Sequence, residues 1–360
     1  MKKKKIIAVI STLKKGGAER TLSVLSHEWI KENEVKIIVF DGSYLGYSFS
    51  GEIINLQLPA LKRTLPKIIQ FLRRSLQLKK LFRNENPDHI ISFMESANFA
   101  SILAAYFTNK FKKLMISVRT NPRTMIKLHR FLVPHLYCYP KKIISLSKGV
   151  SSALIKMGVS PKKIKIIYNP LPAFTPIISK TLSRPSNAPK NYILGVGRLV
   201  RLKGFDLLIE AFSKISDQNT NLVILGEGKE RRRLESIISN KGLSDRVHLL
   251  GLVDNLWPWY RHAKCFVSSS LTESWGNVIV EAMSQKCPVV TFDCDYGPRE
   301  IITDNVNGLL VEVSNVQSLT NTISLLLSDS QLYSKLSNNG LIRSSEFDAK
   351  ALSLQWLKDY

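Results

Sequence analysis

The chain has 360 residues, a 44% hydrophobic fraction, and 52 Lys and Arg against 28 Asp and Glu, a formal net charge of +24. That length exceeds what a single core usually supports and predicts two domains of comparable size. No window reaches the ~18 uninterrupted apolar residues of a spanning helix, so none is expected; the excess charge will seek a polyanion, either nucleic acid or an anionic membrane leaflet.

The first residues, Met1 and Lys2 to Lys5 followed by Ile6-Ile7-Ala8-Val9-Ile10, resemble a signal peptide only briefly. The apolar run is shorter than the ~7–15 residues of a signal h-region. Lys14-Lys15 follow at once. A first strand behind a basic tail is expected, and with it a cytoplasmic location.

Apolar runs at 5–10, 35–40, 89–93, 114–118, 142–145 and 163–168 predict six strands, with amphipathic helical patterns between them such as 19–31. A second series follows at 192–196, 221–225, 246–250, 265–268, 288–292 and 308–311, with a helix predicted at 205–214. Alternating β and α units imply parallel sheets covered on both faces. Between the series, Pro170, Pro172, Pro176, Pro185 and Pro189 break all periodicity, as in an inter-domain connection. The expected organisation is therefore a domain at 1–170, a linker at 171–190, a second domain at 191–345 and a closing helix at 346–360. The four cysteines, Cys138, Cys265, Cys287 and Cys294, show no C-x-x-C pairing and read as free thiols.

In doubly wound sheets ligands bind beyond the carboxyl ends of the strands, and three loops of that kind carry chemistry. The first is Lys14-Lys15-Gly16-Gly17-Ala18-Glu19-Arg20: two glycines permit close backbone approach, and the following helix aims its N–H groups at the same spot. A diphosphate suits it, and so does a bare βα turn. The second is Gly195-Val196-Gly197-Arg198-Leu199-Val200-Arg201-Leu202-Lys203-Gly204, which begins as G-x-G but has Val200 where a third glycine would complete a dinucleotide fingerprint. Arg198 offers a fork and Lys203 a point charge for phosphate oxygens. The third is Thr272-Glu273-Ser274-Trp275-Gly276-Asn277-Val278-Ile279-Val280-Glu281-Ala282-Met283. Here Glu273 falls in a loop and Glu281 inside a helix, while the backbone N–H groups around Asn277 and Val278 face any phosphate at the helix start.

Together these stretches resemble the retaining family-4 glycosyltransferases of the GT-B architecture. The carrying residues are Gly16-Gly17-Ala18-Glu19-Arg20, Val196-Gly197-Arg198-Leu199, Lys203-Gly204, Gly226-Glu227-Gly228, the E-x7-E pair Glu273 and Glu281, and Gly297-Pro298-Arg299-Glu300-Ile301. The resemblance implies an α/β fold of two Rossmann-like doubly wound domains facing across a cleft, the first holding the acceptor and the second a nucleotide-sugar, usually a UDP-sugar. It implies that Glu281 binds the donor ribose and Glu273 the sugar hydroxyls. It assigns Arg198 and Lys203 to the diphosphate, with Gly16 and Gly17 facing it and the turn Gly276-Asn277-Val278 meeting the phosphates. The closing helix would cross back to the first domain. No cofactor and no metal are expected. Many relatives carry a histidine in a first-domain loop where this chain has Ser117-Val118-Arg119-Thr120-Asn121, so Arg119 is the candidate for sugar or phosphate contact there. Asp293-Cys294-Asp295 matches the D-x-D of another architecture by coincidence of a three-residue pattern, and the six histidines lack ligand spacing.

The charge is concentrated in two segments. Residues 61–83 hold eight basic side chains and no acidic one, with Leu65, Ile68, Ile69, Leu72 and Leu76 at helical spacing and Lys67 and Arg74 opposite. Such a helix either lies on an anionic bilayer, grips a lipid-linked pyrophosphate, or packs its stripe on the first sheet. Residues 110–130 add Lys112, Lys113, Arg119, Arg123, Lys127 and Arg130. The expected activity is transfer of a hexose or N-acetylhexosamine to a lipid-linked or surface-glycan acceptor at the cytoplasmic membrane face. The alternatives are another nucleotide-sugar enzyme of the same fold, such as an epimerase, and a basic nucleic-acid-binding protein. The aliphatic character of the basic segments speaks against the latter.

Overall fold

The structure, a computed structural model, describes residues 3–60, 64–122, 125–172 and 182–358. The start of the 61–83 segment, Arg123, and Pro176 with most of the first half of the expected linker lie outside the described residues. The chain divides into two compact units, 1–173 together with 349–360, and 174–348.

The first unit runs β1 (Lys5–Leu13), α1 (Gly17–Trp29), β2 (Glu34–Leu45), β3 (Glu52–Asn55), α2 (Thr64–Glu85), β4 (His89–Phe93), α3 (Glu95–Thr108), β5 (Leu114–Val118), α4 (Lys127–Leu136), β6 (Lys142–Ser145), α5 (Lys148–Lys156) and β7 (Ile164–Ile166). All pairings are parallel, in the order β3-β2-β1-β4-β5-β6-β7. Strands β4 and β5 are buried at every position, which is why their sequences are mostly apolar, with only His89, Ser92 and Ser117 intervening, rather than alternating. The unpredicted strand is β3, a four-residue edge strand with half-exposed isoleucines. The closing helix, Ala349–Leu357, belongs to this unit. Its Trp356 is fully buried, stacked on Phe93 with ring centroids 5.5 Å apart and edge-on to Trp29 at 6.1 Å.

The apolar stripe of α2 does not pack on the sheet. Ile68, Ile69, Leu72 and Leu76 are 46–58% exposed, and the side chain of Leu65 is outside the described ones. The buried face is Gln70, Arg74, Ser75, Leu78 and Phe82. Arg74 goes inward because three of its five N–H donors find acceptors there: Nε and Nη2 donate to the Leu58 carbonyl at 3.0 and 2.6 Å, Nη1 to Ser96 at 3.2 Å, and the guanidinium lies over Phe40.

The second unit runs β8 (Tyr192–Val196), α6 (Phe205–Ser213), β9 (Asn221–Leu225), α7 (Arg231–Asn240), β10 (Val247–Gly251), α8 (Trp257–His262), β11 (Cys265–Ser268), α9 (Asn277–Ser284), β12 (Val289–Phe292), α10 (Pro298–Ile301), β13 (Leu309–Val311), α11 (Val316–Ser328) and α12 (Ser330–Ser345). Its six parallel strands are ordered β10-β9-β8-β11-β12-β13. Phe205, Leu208 and Phe212 of α6 and Leu319, Ile323 and Leu326 of α11 bury their 3.6-period faces in one core with β8, β9 and β11. Both units are Rossmann-like, each with its order reversing beside its first strand. No helix among the described residues is long and apolar enough to cross a membrane.

Candidate active site

In the second unit the chain leaves β8 with β9 on one side and β11 on the other, the switch point at which such sheets bind ligands. The loop after β8 is braced by the loop after β9. Gly197 N donates to Leu225 O at 3.0 Å, Leu199 N to Glu227 O at 2.9 Å and Glu230 N to Leu199 O at 3.0 Å. A Cβ on Gly226, whose φ is +144°, would sit 1.9 Å from Gly197 O, and one on Gly228 would sit 2.2 Å from Leu199 O. Gly226-Glu227-Gly228 therefore exists to let one loop nest against the other. Arg198, in the braced turn, accepts from Val200 N at 2.8 Å through its carbonyl, while its exposed side chain has no bonding partner among the described residues.

The same β8 loop is tied to the loop after β11. Ser269 Oγ donates to Lys203 O at 2.9 Å and Leu271 N to Leu202 O at 2.9 Å. These bonds put Lys203 Nζ against Glu273 Oε1, to which Ser270 Oγ also donates at 2.8 Å. With side-chain exposures of 21% and 14%, the Lys203–Glu273 pair is largely withdrawn from water. Gly276 follows at φ +112° as the residue that precedes α9, so the backbone turns into the helix at Asn277 and Val278 without a capping side chain of its own. Glu281, one turn further, is 1% exposed and accepts a hydrogen bond from the buried Tyr260 hydroxyl at 3.1 Å. Ser269, Ser270 and Tyr260, whose hydroxyls brace these groups, were not among the expected site residues, because a hydroxyl's partner is not written in its local sequence.

Sequence reading thus brought together Arg198, Lys203, Glu273 and the start of α9 on adjacent loops of one sheet end, and Glu281 on the helix that follows. Asp293 of the D-x-D pattern is occupied by the Arg299 fork, and Cys294 is buried, its thiol pushed up to about 12 by desolvation. Among the described residues no group of three or more His, Cys, Asp and Glu side chains is placed to hold a metal ion.

The first unit carries its own switch point between β1 and β4. Gly16 precedes α1 in an extended conformation, and Glu19 of the first turn folds back over it while accepting from Thr12 Oγ at 2.9 Å. A Cβ on Gly16 would lie 2.3 Å from that carboxylate. Arg119 is 8% exposed, and its guanidinium donates to Ser117 Oγ at 3.1 Å, Thr21 Oγ at 2.8 Å and Asn169 Oδ1. Burial lowers its pKa to about 9, still protonated at neutral pH, and Glu19 opposes the shift. Such an arginine ties α1, β5 and the end of the β7 segment together. Two residues missed by sequence reasoning lie beside it. Met94, after β4, has φ +73° and ψ 153°, a region few side chains adopt. Glu95, 7% exposed, accepts from Thr120 Oγ1 at 3.3 Å, and desolvation raises its pKa.

The profile of the group 1 glycosyl transferases matches residues 180–343, and that of glycosyltransferase family 4 matches residues 15–173. A Campylobacter jejuni relative, N-acetylgalactosamine-N,N'-diacetylbacillosaminyl-diphospho-undecaprenol 4-alpha-N-acetylgalactosaminyltransferase, is 32% identical over 363 residues, covering 97% of each chain. The lipopolysaccharide core biosynthesis glycosyltransferase LpsE of Rhizobium meliloti is 29% identical, covering 74% of this chain and 73% of its own. The solved structure of Anabaena HepE with UDP and glucose superposes with a TM-score of 0.81 at 21% identity over 99% of this chain and 98% of that one, a likeness of fold alone. With two Rossmann-like units, a whole-length relative above 30% identity and both halves matched, the chain belongs to the family-4 glycosyltransferases of GT-B architecture.

Proposed function

We propose that the enzyme transfers a hexose or N-acetylhexosamine from a UDP-sugar, with retention of anomeric configuration and without a metal ion, to a lipid-linked or surface-glycan acceptor at the cytoplasmic face of the membrane. The observation that carries this reading is the sheet end where the Glu273-held Lys203 and the exposed side chain of Arg198, without a partner among the described residues, sit on loops adjoining the start of α9. Two cations and amide dipoles suit a leaving diphosphate whose charge grows as the bond to the sugar breaks. In the step proposed, the acceptor oxygen bonds to the anomeric carbon on the face from which the diphosphate departs. Its proton passes to the departing phosphate oxygen, so no protein base is needed. Glu273 would accept hydrogen bonds from sugar hydroxyls, and Glu281 would engage the ribose once the nucleotide displaces its shielding. On the first unit, Gly16 and Gly17 would allow close approach, and Arg119 would position the neighbouring loops.

The acceptor class is supported by the Campylobacter relative, whose name specifies a diphospho-undecaprenol-linked saccharide. UDP as donor nucleotide is supported by Anabaena HepE, solved with UDP and with UDP-glucose. Charge supports the location: the first unit contains 33 Lys and Arg against 10 Asp and Glu, +23, whereas the second contains 19 against 18, +1. Nearly all the excess charge thus sits in the unit expected to meet an acceptor at an anionic leaflet.

The test is a panel of UDP- and GDP-sugars with membrane lipid extract, following nucleotide release with and without EDTA. Lipid-dependent UDP release that EDTA leaves intact is expected. In that assay Arg198→Ala should lower turnover far more than donor affinity. Release abolished by EDTA, or confined to GDP-sugars, would refute the metal-free or the UDP assignment respectively.

A further inference from the structure

The first unit contains a cavity of about 710 Å³ that the transfer chemistry does not use. Its floor is one stripe of α3, Ser96, Phe99, Leu103 and Tyr106, at helical spacing. Its walls are α2, through Ile68 and Phe71, and α4, through Leu128, Leu132 and Leu136. The polar groups on it are few, and among the described residues its lining includes Lys67, Arg74 and His129 but no carboxylate. A largely apolar cavity of this size has the dimensions of a small-molecule site.

Its direction is informative. Ser96 lies in the first turn of α3, just beyond the end of β4, at the switch point of this sheet. Arg74 bonds to Ser96 there, so that end is polar and cationic. Tyr106 lies ten residues along the helix, about 15 Å away at the helical rise. The channel therefore runs from the sheet end where an acceptor would react to the far end of α3, becoming apolar as it goes. The surroundings are uniformly basic: residues 96–173 contain 14 Lys and Arg and no Asp or Glu. Ile68, Leu128 and Tyr106 on its rim are 54%, 60% and 60% exposed.

We propose that this cavity seats the isoprenoid chain of a diphosphate-linked acceptor, with the diphosphate at the Arg74–Ser96 end. The assignment rests on the lipid-linked acceptor reading above. A largely apolar cavity with Lys67 and Arg74 in its lining matches an apolar chain carried on an anionic head. The exposed apolar rim would rest on the bilayer from which the chain is drawn.

The test uses the whole enzyme and two probes, geranylgeranyl diphosphate in detergent-free buffer below its aggregation threshold and isopentenyl diphosphate, with UDP affinity measured in parallel. The long-chain probe should bind about tenfold more tightly or better, a difference of about 1.4 kcal/mol. Leu103→Trp, which fills the channel, should abolish that preference and leave isopentenyl diphosphate and UDP binding unchanged. Leu128→Ser, at an exposed rim position, should reduce it and is insensitive to core packing. Equal affinity for the two probes, or a preference that survives both variants, overturns the proposal. So does binding to phosphatidylglycerol vesicles that excess geranylgeranyl diphosphate does not weaken, since the surface would then belong to the bilayer. Chain preference without lipid-dependent sugar transfer would refute the acceptor reading while keeping the cavity; transfer without chain preference would do the reverse.

Discussion

The Lys203–Glu273 pair separates a catalytic role from a structural one. Its side chains are 21% and 14% exposed, between a surface pair worth ~0–1 kcal/mol and a buried one whose disruption costs ~3–5 kcal/mol. Lys203→Met leaves Glu273 with Ser270 as its hydrogen-bond donor and should cost about 1–2 kcal/mol, lowering the melting temperature of the second unit by a few degrees. Glu273→Leu strands the lysine and should cost a similar amount. Replacing both by apolar groups removes the stranded charge, so the double variant should recover most of the lost stability. Transfer should not recover. If Lys203 stabilises the departing diphosphate and Glu273 the sugar, each single variant loses about 10²–10³ in kcat, and the double variant stays at least as low. Thermal unfolding and nucleotide release measured on the same three proteins decide the matter. A double variant that regains both stability and turnover would show that the pair only fastens two loops, and the assigned chemistry would be wrong.

Three further outcomes are expected. His89, 2% exposed at the start of β4, has its pKa lowered to about 4 by desolvation, with Lys4 adding to the shift and Asp88 opposing it. The unfolded chain therefore takes this proton first, and stability present above about pH 6.5 declines as pH falls towards 4, by about 3 kcal/mol at most. Urea unfolding across that window should show the decline in the wild type and its loss in His89→Leu; parallel profiles would refute the assignment. Gly226→Ala places a Cβ against Gly197 O at a backbone φ of +144°, and should cost about 2 kcal/mol or more and slow transfer through the displaced Arg198 loop, whereas Gly242→Ala, with open space around it, should be milder; equal melting temperatures would contradict this. Trp356→Ala removes the ring packed on Phe93 and Trp29, and should destabilise the first unit by about 3–5 kcal/mol, read as an early unfolding transition.

Much of the fold was legible because parallel strands buried on both faces are written as predominantly apolar stretches: 89–93, 114–118, 142–145, 192–196, 221–225 and 265–268 have the bounds expected of them. Strand β3 escaped because an exposed edge strand of four residues carries no such run. The loops bearing Arg198, Lys203, Glu273 and Gly276 were also visible, since glycines and charges after apolar runs mark strand ends. Burial was not visible. Helical spacing shows that α2 has an apolar stripe but not which way it points, and only tertiary packing decided that Arg74 turns inward while Ile68 and Leu72 face out. The same holds for Arg119, drawn inside by Thr21 and Asn169, partners distant in sequence. It holds for Gly226 and Gly228, whose need appears only when another loop's carbonyls lie against them. Periodicity and turn chemistry are local and sit in the sequence itself. The environment of a charge or a glycine is set by chain segments far away along the backbone, and those only the folded structure brings together.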